Sequence, residues 1–388
     1  MKIKSLLLSL MCLIALNVSI TSCSDDDDDY GRNDSGSTIE LPQKRAYILN
    51  EGSQGANNAS ISFYCPDQAN FFVKDIFQTQ NDAKLGDTGQ DMIEYRNSIY
   101  VAVNGSSYMT RLNTAGVEQA RHAFTVNGAT PRYMAADDGY VYVTLYGGKV
   151  VKLDAQTLEE KASLSLGNNL EGIVECNDKL YVANSYKKED AQFVYLSDVF
   201  VINTKTFTLE KTLTVTVNPN KLTEANDKVF LISYGDYGTV GYTAQMIDPK
   251  DNNKITVIGT ATDMVADDER GMVYFVNSET DYSNWPETST INTFYSYNAN
   301  TLEKKDASFL KNAPEELASS SVYSMSVNEA NGDIYIATTL YSAGNGTIYR
   351  FDQNGNFIDK FDCGGQNPKK IIFFNSDSPQ THLIFLVY

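Results

Sequence analysis

Short apolar runs that are typical of β-strands recur along the whole chain. The clearest type begins with an aromatic residue and continues with mostly apolar positions, and it occurs at residues 47–50, 100–103, 142–145, 181–184, 230–233, 274–277 and 335–338. Each run is too short for a helix and lies close to turn-forming Asn, Asp or Gly residues. The pattern therefore predicts a protein that is built from short strands.

These runs belong to repeated blocks. In six of the seven blocks an apolar run precedes the aromatic one, and in all seven a third run follows it. A fourth and weaker run comes next, as at residues 158–166 and 209–215. Four strands in every ~40 to 50 residues is the period of a β-propeller blade. We therefore predict an all-β fold, a seven-bladed β-propeller over residues 44–388.

The two ends of the chain are predicted to share one blade. The first block lacks its opening strand, and a run of the missing type, residues 370–374, follows Pro368 near the other end. Pairing this run with residues 47–50 would close the ring and remove its exposed sheet edges. Residues 383–388 are left over, and we expect an additional edge strand or a tail there.

The segment before the propeller has the pattern of an exported lipoprotein. Residues 1–22 are typical of a secretory signal peptide, with Lys2 and Lys4 before an apolar stretch too short to be a good membrane span. The residues before Cys23 resemble the lipobox of bacterial lipoproteins, in which the cysteine is acylated; an ordinary cleaved signal peptide is the alternative. The aspartates at 25–29 resemble the surface-export signal of Bacteroidetes-type lipoproteins. We therefore expect an outer-membrane protein, exposed at the cell surface and lipid-anchored at Cys23, with residues 23–43 as an acidic flexible tether.

Charge and composition exclude several partners and kinds of chemistry. A net charge of −18 disfavours nucleic acid and anionic lipid as partners. His122 lies in a fourth-strand run and His382 in the C-terminal tail, and these two are the only histidines, so we expect neither a histidine base nor a His-rich metal site. Cys65, Cys176 and Cys363 lie far apart in apolar runs, which predicts buried side chains.

The two ends of the predicted blades differ in their loops. Connections from first to second strand and from third to fourth strand are short turns, whereas the loops from second to third strand are longer and rich in Tyr, Ser, Gly and Asn. The same composition is found in antibody recognition loops, where rigid rings and adaptable polar groups bind the ligand. We therefore predict a binding face formed by Tyr108, Tyr146, Asn184, Tyr186, Tyr234, Tyr237, Tyr282, Trp285 and Tyr341 of these loops, with Arg132 and Gln366 of the links that lead into each blade.

The repeats also resemble a known group of propellers. The run Tyr-Val-Ala-Asn at 181–184, with proline-containing links at 130–132 and 218–220, is similar to the YVTN-type seven-bladed propellers. The stretches YILNEGSQGANNASISFY at 47–64 and LGDTGQDM at 85–92 resemble Bacteroidetes surface lipoproteins described as a domain of unknown function, which include the BtuG-type cobalamin-binding proteins. This resemblance implies capture of cobalamin or a related corrinoid, which is then handed to a TonB-dependent outer-membrane transporter.

Two alternatives to corrinoid capture stay open. Tyrosine and tryptophan platforms also stack on sugars, so the same face would suit a surface glycan. Carboxylates occur in the loops as well, including Glu189, Asp236 and Glu279, and a pair of them could serve a hydrolase or lyase. The favoured hypothesis has no catalytic residue and no catalytic cofactor, and cobalamin enters it only as the bound ligand.

Overall fold

The protein is described here by a computed structural model that covers residues 31–68, 71–125, 129–284 and 288–375. Within these ranges, twenty-eight strands form seven four-stranded antiparallel sheets, which confirms the predicted seven-bladed propeller. These blades belong to a compact unit that begins at Asn33.

The strands are numbered along the chain, and short helices interrupt them in four places within the described ranges. The strands are β1 (Arg45–Asn50), β2 (Ser60–Tyr64), β3 (Phe72–Val73), β4 (Gly89–Tyr95), β5 (Ser98–Val103), β6 (Tyr108–Leu112), β7 (Glu118–Ala123), β8 (Pro131–Asp137), β9 (Tyr140–Leu145), β10 (Lys149–Asp154), β11 (Glu160–Ser165), β12 (Asn169–Glu175), β13 (Lys179–Glu189), β14 (Gln192–Asn203), β15 (Thr208–Thr214), β16 (Pro219–Ala225), β17 (Lys228–Ser233), β18 (Thr243–Asp248), β19 (Lys254–Gly259), β20 (Asp263–Asp267), β21 (Met272–Asp281), β22 (Ser289–Asn298), β23 (Glu303–Lys305), β24 (Val322–Asn328), β25 (Asp333–Thr338), β26 (Thr347–Phe351), β27 (Phe357–Asp362) and β28 (Pro368–Phe374). The α-helix is α1 (Ile76–Asn81), and the 3₁₀-helices are Pro249–Asp251, Glu315–Ala318 and Tyr341–Ala343.

One blade contains strands from both ends of the chain, as predicted. Its order is β28-β1-β2-β3, with β28 as the innermost strand. Tyr47 lies opposite Ile372 and Ile48 lies opposite Ile371 in the antiparallel pair β1–β28. The ring is therefore closed by backbone hydrogen bonds between the two ends, and β28 covers the edge of β1 that would otherwise be unpaired.

Burial falls from the second strand of a blade to the strand at its rim. All six residues of β5, the second strand of its blade, are buried, whereas half-buried and exposed positions alternate along the rim strand β7. Aromatic rings fill the space between sheets, and Phe275 stacks on Tyr295 with ring centroids 4.9 Å apart. The three described cysteines are buried in apolar surroundings, as their positions in the sequence predict.

The C-terminal part of the predicted flexible tether is hydrogen-bonded to the propeller. Asp34 forms an ion pair with the guanidinium of Arg45 at 2.6 Å, and the N–H of Thr38 donates to Oε1 of Gln80 at 2.8 Å. Arg45 is almost fully buried, so its charge needs a partner, and Asp34 supplies it. The ordered unit therefore begins before residue 44, the predicted boundary.

Two segments that the sequence suggested as loops are extended hairpins. β13 and β14 continue to a two-residue turn at Asp190 and Ala191, whose φ angles are 47° and 66°. Positive φ at both central residues is the geometry of a tight hairpin turn that matches strand twist. β21 and β22 are likewise paired as far as Asp281 and Ser289. Both hairpins therefore extend their blades and hold their side chains on paired backbone.

The innermost strands surround a central channel. Six of the seven innermost described strands have a register shift near their first residue, at or beside Gln90, Tyr133, Glu171, Asn220, Tyr323 and Lys369. A β-bulge turns side chains away from the regular alternation, and here it occurs at the end of the channel where the second-to-third loops emerge. We call this end the loop face and the opposite end the turn face.

The channel is acidic at its turn face. Carboxylates from five of the blades line it there, namely Glu94, Glu175, Glu224, Asp268 and Glu329. One of them, Glu224, accepts the backbone N–H of Asp227 at 2.6 Å. Burial, reinforced by repulsion from Asp268, raises the pKa of Glu224 to about 7.

The free energy of unfolding should therefore rise as the pH falls from about 8 to about 5. The folded protein binds the proton of Glu224 more tightly than the unfolded chain, in which the pKa is near 4.5, and this advantage is lost as the pH rises through the folded pKa. Burial shifts the pKa of Glu94, Glu175 and Glu329 in the same direction. Melting temperatures across this range should change less steeply in Glu224→Gln, while Glu303→Gln, on the exposed strand β23, keeps the original slope. Equal slopes in all three proteins would contradict the prediction.

Candidate ligand-binding cleft

A cleft of about 390 Å³ opens on the loop face beside the mouth of the channel. Its walls come from the innermost strands of neighbouring blades, from the hairpin β13–β14 and from the loop between β17 and β18. We call it the aromatic cleft, and it is lined by Arg132, Tyr133, Glu171, Ser185, Tyr186, Phe193, Tyr195, Asn218, Asn220, Tyr234, Tyr237 and Lys369.

An ion pair between two neighbouring blades forms the floor of the aromatic cleft. Nη2 of Arg132, on β8, lies 2.7 Å from Oε2 of Glu171, on β12, and the carboxylate is only 3% exposed. Nη1 of Arg132 donates to Oε1 of Gln90 at 2.6 Å, so the guanidinium bridges three innermost strands. Burial disfavours the charged form, but attraction by Glu171 outweighs it and raises the pKa of Arg132. The guanidinium of Arg132 therefore stays charged although it is largely buried.

Aromatic rings continue from this floor to the tip of the β13–β14 hairpin. The hydroxyl of Tyr146 donates to Oε1 of Glu171 at 2.6 Å, and its ring lies 4.5 Å from the Arg132 guanidinium. Tyr186 packs edge-on against Tyr146 at 6.0 Å and against Phe193 at 5.4 Å between ring centroids. Phe193 is 55% exposed, so the row ends in a ring that is open to a ligand.

The loop between β17 and β18 is folded tightly around one carboxylate. Asp236 accepts the backbone N–H groups of Gly238 at 2.9 Å and Val240 at 2.8 Å. These hydrogen bonds, the one from Val240 first among them, lower the pKa of Asp236. A side chain at Gly235, where φ is +74°, would meet the carbonyl oxygen of Val240 at 1.9 Å. The loop is therefore fixed in one conformation before any ligand arrives.

This loop holds two tyrosines of the aromatic cleft. Tyr237 is 63% exposed and its ring lies 5.5 Å from that of Tyr195 on β14. Tyr234 packs against Tyr242 with ring centroids 5.0 Å apart. Contacts across the blade boundary thus connect the loop to the β13–β14 hairpin, and the rings form one continuous surface.

Comparison with known proteins places this chain in a family. The model of the family described as Domain of unknown function (DUF5074) matches residues 44–382. The chain belongs to the DUF5074 family. A comparison with curated proteins finds none that matches this DUF5074 chain.

Solved structures share the fold of this DUF5074 chain at low sequence identity. A quinonprotein alcohol dehydrogenase-like protein from Bacteroides thetaiotaomicron has a TM-score of 0.60 and 16% identity, and the match covers 85% of this chain and 78% of that one. A functionally unknown protein from Desulfotomaculum acetoxidans has a TM-score of 0.56 and 13% identity, with 87% and 100% covered. At these identities the likeness concerns the fold alone.

Five of the residues predicted for the binding face come together in or beside the aromatic cleft: Arg132, Tyr146, Tyr186, Tyr234 and Tyr237. They belong to three consecutive blades, which explains why residues far apart in the sequence meet. The binding face of this DUF5074 chain is therefore concentrated on one side of the channel mouth.

Three of the predicted residues have structural roles away from the aromatic cleft. Tyr108 is buried, its hydroxyl donates to the carbonyl of Leu85, and β6 begins at this residue, so its ring packs in the core. Asn184 is buried too, and its side chain bonds the N–H of Asn168 and the carboxylate of Asp198.

The third, Gln366, joins a loop of the closing blade to a loop of the neighbouring blade. Its Oε1 accepts from Ser53 at 2.8 Å and from Asn58 at 2.9 Å, and its Nε2 donates to the carbonyl of Ser342 at 3.3 Å. It lines a separate groove beside α1.

The remaining predicted residues lie apart from the aromatic cleft or outside the described residues. Tyr282 and Tyr341 are exposed but do not line it. Trp285, Cys23, the signal peptide and residues 383–388 are outside the described ranges.

Other residues of the aromatic cleft were not among the predicted ones, although some of them had a signal in the sequence. Phe193 and Tyr195 lie in the same segment as Tyr186, and the hairpin pairs Tyr186 directly with Tyr195. Tyr133 and Lys369 belong to innermost strands, where the β-bulges turn them toward the channel mouth, and nothing in the local pattern indicates a bulge.

In the described part of the chain, no group of His, Cys, Asp or Glu side chains could hold a metal ion, and no helix is long and apolar enough to cross a membrane.

Proposed function

We propose that this protein is a cell-surface lipoprotein that captures cobalamin or a related corrinoid in the aromatic cleft and hands it to a TonB-dependent outer-membrane transporter. The observation that carries the proposal is the aromatic cleft itself, in which exposed rings surround a floor of paired charges. The lipobox resemblance at Cys23 and the acidic run after it support the location.

The chemistry of the aromatic cleft suits a flat ligand with many amide groups. Aromatic rings offer large rigid surfaces at low entropic cost, and Phe193 and Tyr237 hold theirs open to solvent. The charges beside them are paired, Arg132 with Glu171 and Lys369 with Glu51 at 3.0 Å, so the surface attracts neither polyanions nor polycations. A corrin macrocycle has apolar faces and amide side arms, which match rings and polar groups respectively.

The size of the aromatic cleft fits partial enclosure of such a ligand. A cavity of about 390 Å³ lies near the lower end of the range for small-molecule sites, so it would take one edge of a corrin rather than the whole ring. The exposed rings at the tips of the hairpin and the loop would then cover the adjacent face of the macrocycle. Such a ligand stays accessible from outside, as transfer to a transporter requires.

Glycan capture is the second candidate, because exposed rings also occur elsewhere on this face. Tyr282 and Tyr341 are each more than half exposed and lie outside the aromatic cleft. Separate aromatic platforms suit successive sugar units of a chain, whereas a compact ligand would use the aromatic cleft alone. The two candidates therefore differ in which tyrosines matter.

Calorimetric titration of the protein with cobalamin tests the proposal. Tyr186→Ala should weaken binding by about 2 kcal/mol, roughly thirtyfold, because Tyr186 is the central ring of the row between Tyr146 and Phe193. His122→Ala, on the rim strand β7, should leave the affinity unchanged. The absence of heat with cobalamin, together with binding on a glycan array that is lost in Tyr282→Ala or Tyr341→Ala, would replace corrinoid capture by glycan capture.

A further inference from the structure

A second and smaller cavity of about 150 Å³ lies within the channel near its loop face. It adjoins the aromatic cleft and shares Tyr133 and Lys369 with it. The volume is roughly ten times the space that one water molecule needs, so a small polyatomic group fits. Its polar lining comes from innermost strands and includes Gln90, Asp91, Tyr133, Lys221, Asp263 and Lys370.

Three hydrogen-bond donors of this cavity have no acceptor within the described part of the chain. Gln90 is 1% exposed, its Oε1 accepts from Arg132, and its buried Nε2 has no partner there. The hydroxyl of Tyr133 and the ammonium of Lys370 likewise form no hydrogen bond or ion pair with the described residues, although other side chains of the same cavity do. Tyr133 and Lys370 are half-buried, whereas Gln90 is fully buried, and a buried donor such as its Nε2 is normally satisfied, which indicates that an acceptor is missing.

The acceptors nearby are already bonded to other groups. Asp263 accepts from Lys221 at 2.6 Å, and Asp91 accepts the backbone N–H of Met134 at 2.9 Å. Burial raises the pKa of Asp91, and the positive charge of Lys370 opposes this shift without a close ion pair between the two side chains. The cavity therefore has a deficit of hydrogen-bond acceptors relative to its donors.

The Glu51 carboxylate at the mouth is bonded in the same way. It accepts from Lys369 at 3.0 Å and from the hydroxyl of Tyr323 at 2.6 Å. Its oxygens are thus engaged outside the cavity, and they do not relieve the deficit inside it.

The charges that line the cavity oppose an anion less than those farther along the channel. Of the three lysines that line it, Lys221 is paired with Asp263 and Lys369 with Glu51, and Lys370 acts on Asp91 without forming a close ion pair among the described residues. The next cavity along the channel, toward the turn face, shares Lys370 with this one and is lined by several glutamates. The lysines therefore offset the carboxylates in the loop-face cavity, so a small anion is disfavoured there less than among the glutamates of the turn face.

We propose that this cavity binds one oxyanion, a carboxylate or a phosphate group, through Nε2 of Gln90, the hydroxyl of Tyr133 and Nζ of Lys370. The group is either a free ion or a substituent of the ligand in the adjoining aromatic cleft. This proposal does not depend on which ligand the aromatic cleft captures, because it is based on the hydrogen-bond donors of the channel alone.

Titration of the full protein with inorganic phosphate, at ionic strength held constant with sodium chloride, tests the site. Calorimetry and thermal unfolding should show saturable binding of one equivalent. Lys370→Gln should weaken it about tenfold or more, because a charged donor is lost, and Tyr133→Phe, which removes only a hydroxyl, should weaken it less. Lys305→Gln removes the same charge from the exposed strand β23 and should bind as the original protein does.

A second arm separates the two sources of the oxyanion. Cobalamin contains a phosphodiester and cobinamide does not, so competition by phosphate against cobalamin but not against cobinamide indicates a group carried by the ligand. Simultaneous binding of phosphate and cobalamin indicates a free ion, and both results support the site. The proposal is overturned if phosphate has no saturable effect, or if folded Lys370→Gln and Tyr133→Phe bind phosphate as tightly as Lys305→Gln.

Discussion

A chain that ends at Asn367 should lose the cooperative unfolding transition of the propeller. It lacks β28, so the closing blade loses its innermost strand and β1 is left with an unpaired edge. β28 buries Ile371, Ile372 and Phe374, each worth about 1.5–3 kcal/mol, and their loss is comparable with the whole stability of a domain, about 5–15 kcal/mol. Circular dichroism during heating should show a broad change without a transition.

Point variants make the same test without shortening the chain. Ile371→Ala should lower the free energy of unfolding by about 2–5 kcal/mol, because the side chain packs between the closing blade and its neighbour. Ile358→Ala, on the exposed rim strand β27, should change it by no more than about 0.5 kcal/mol. A chain that ends at Asn375 keeps β28 and is the control for truncation. An unchanged melting temperature in the chain that ends at Asn367 would require a different closure of the ring.

The architecture was predictable because every blade repeats the same pattern. A strand buried on both faces is a continuous apolar run, and the second strand of each blade, such as β5 or β25, is such a run. Its recurrence gives the number of blades, and the missing first strand of the first block indicates where β28 pairs. Local geometry was less predictable: α1 was not predicted, and the segment that forms the extended hairpin β13–β14 was predicted as a loop.

The binding site was predictable only in part, because composition shows which loops are aromatic but not where each ring points. Tyr108 begins a strand whose side chains face the core, so a ring that looks like part of a loop is buried. Arg132 and Glu171 lie 39 residues apart, about one blade, and meet because neighbouring blades place equivalent positions side by side. Aligning the blades would have revealed complementary charges at one position, but the β-bulges that turn them toward the mouth have no signature in a single sequence.

Among the ion pairs of the aromatic cleft, removal of one partner from the Arg132–Glu171 pair should lower the free energy of unfolding the most. Glu171→Leu leaves the Arg132 guanidinium in a largely buried place without its carboxylate, and it removes the acceptor of the Tyr146 hydroxyl. Breaking a buried pair on one side costs about 3–5 kcal/mol of unfolding free energy. Glu159→Leu breaks the exposed pair with Lys161 and should cost only about 0–1 kcal/mol.

The double variant Arg132→Met with Glu171→Leu separates stability from recognition. Replacing both charges by apolar side chains of similar size removes the uncompensated charge, so denaturant unfolding should recover most of the stability that Glu171→Leu loses. Cobalamin binding should be weaker than in the original protein, because the floor of the aromatic cleft no longer holds Tyr146 beside Tyr186. If the double variant is stable and binds cobalamin as the original protein does, the ion pair serves folding alone and the ligand must contact other rings of this face.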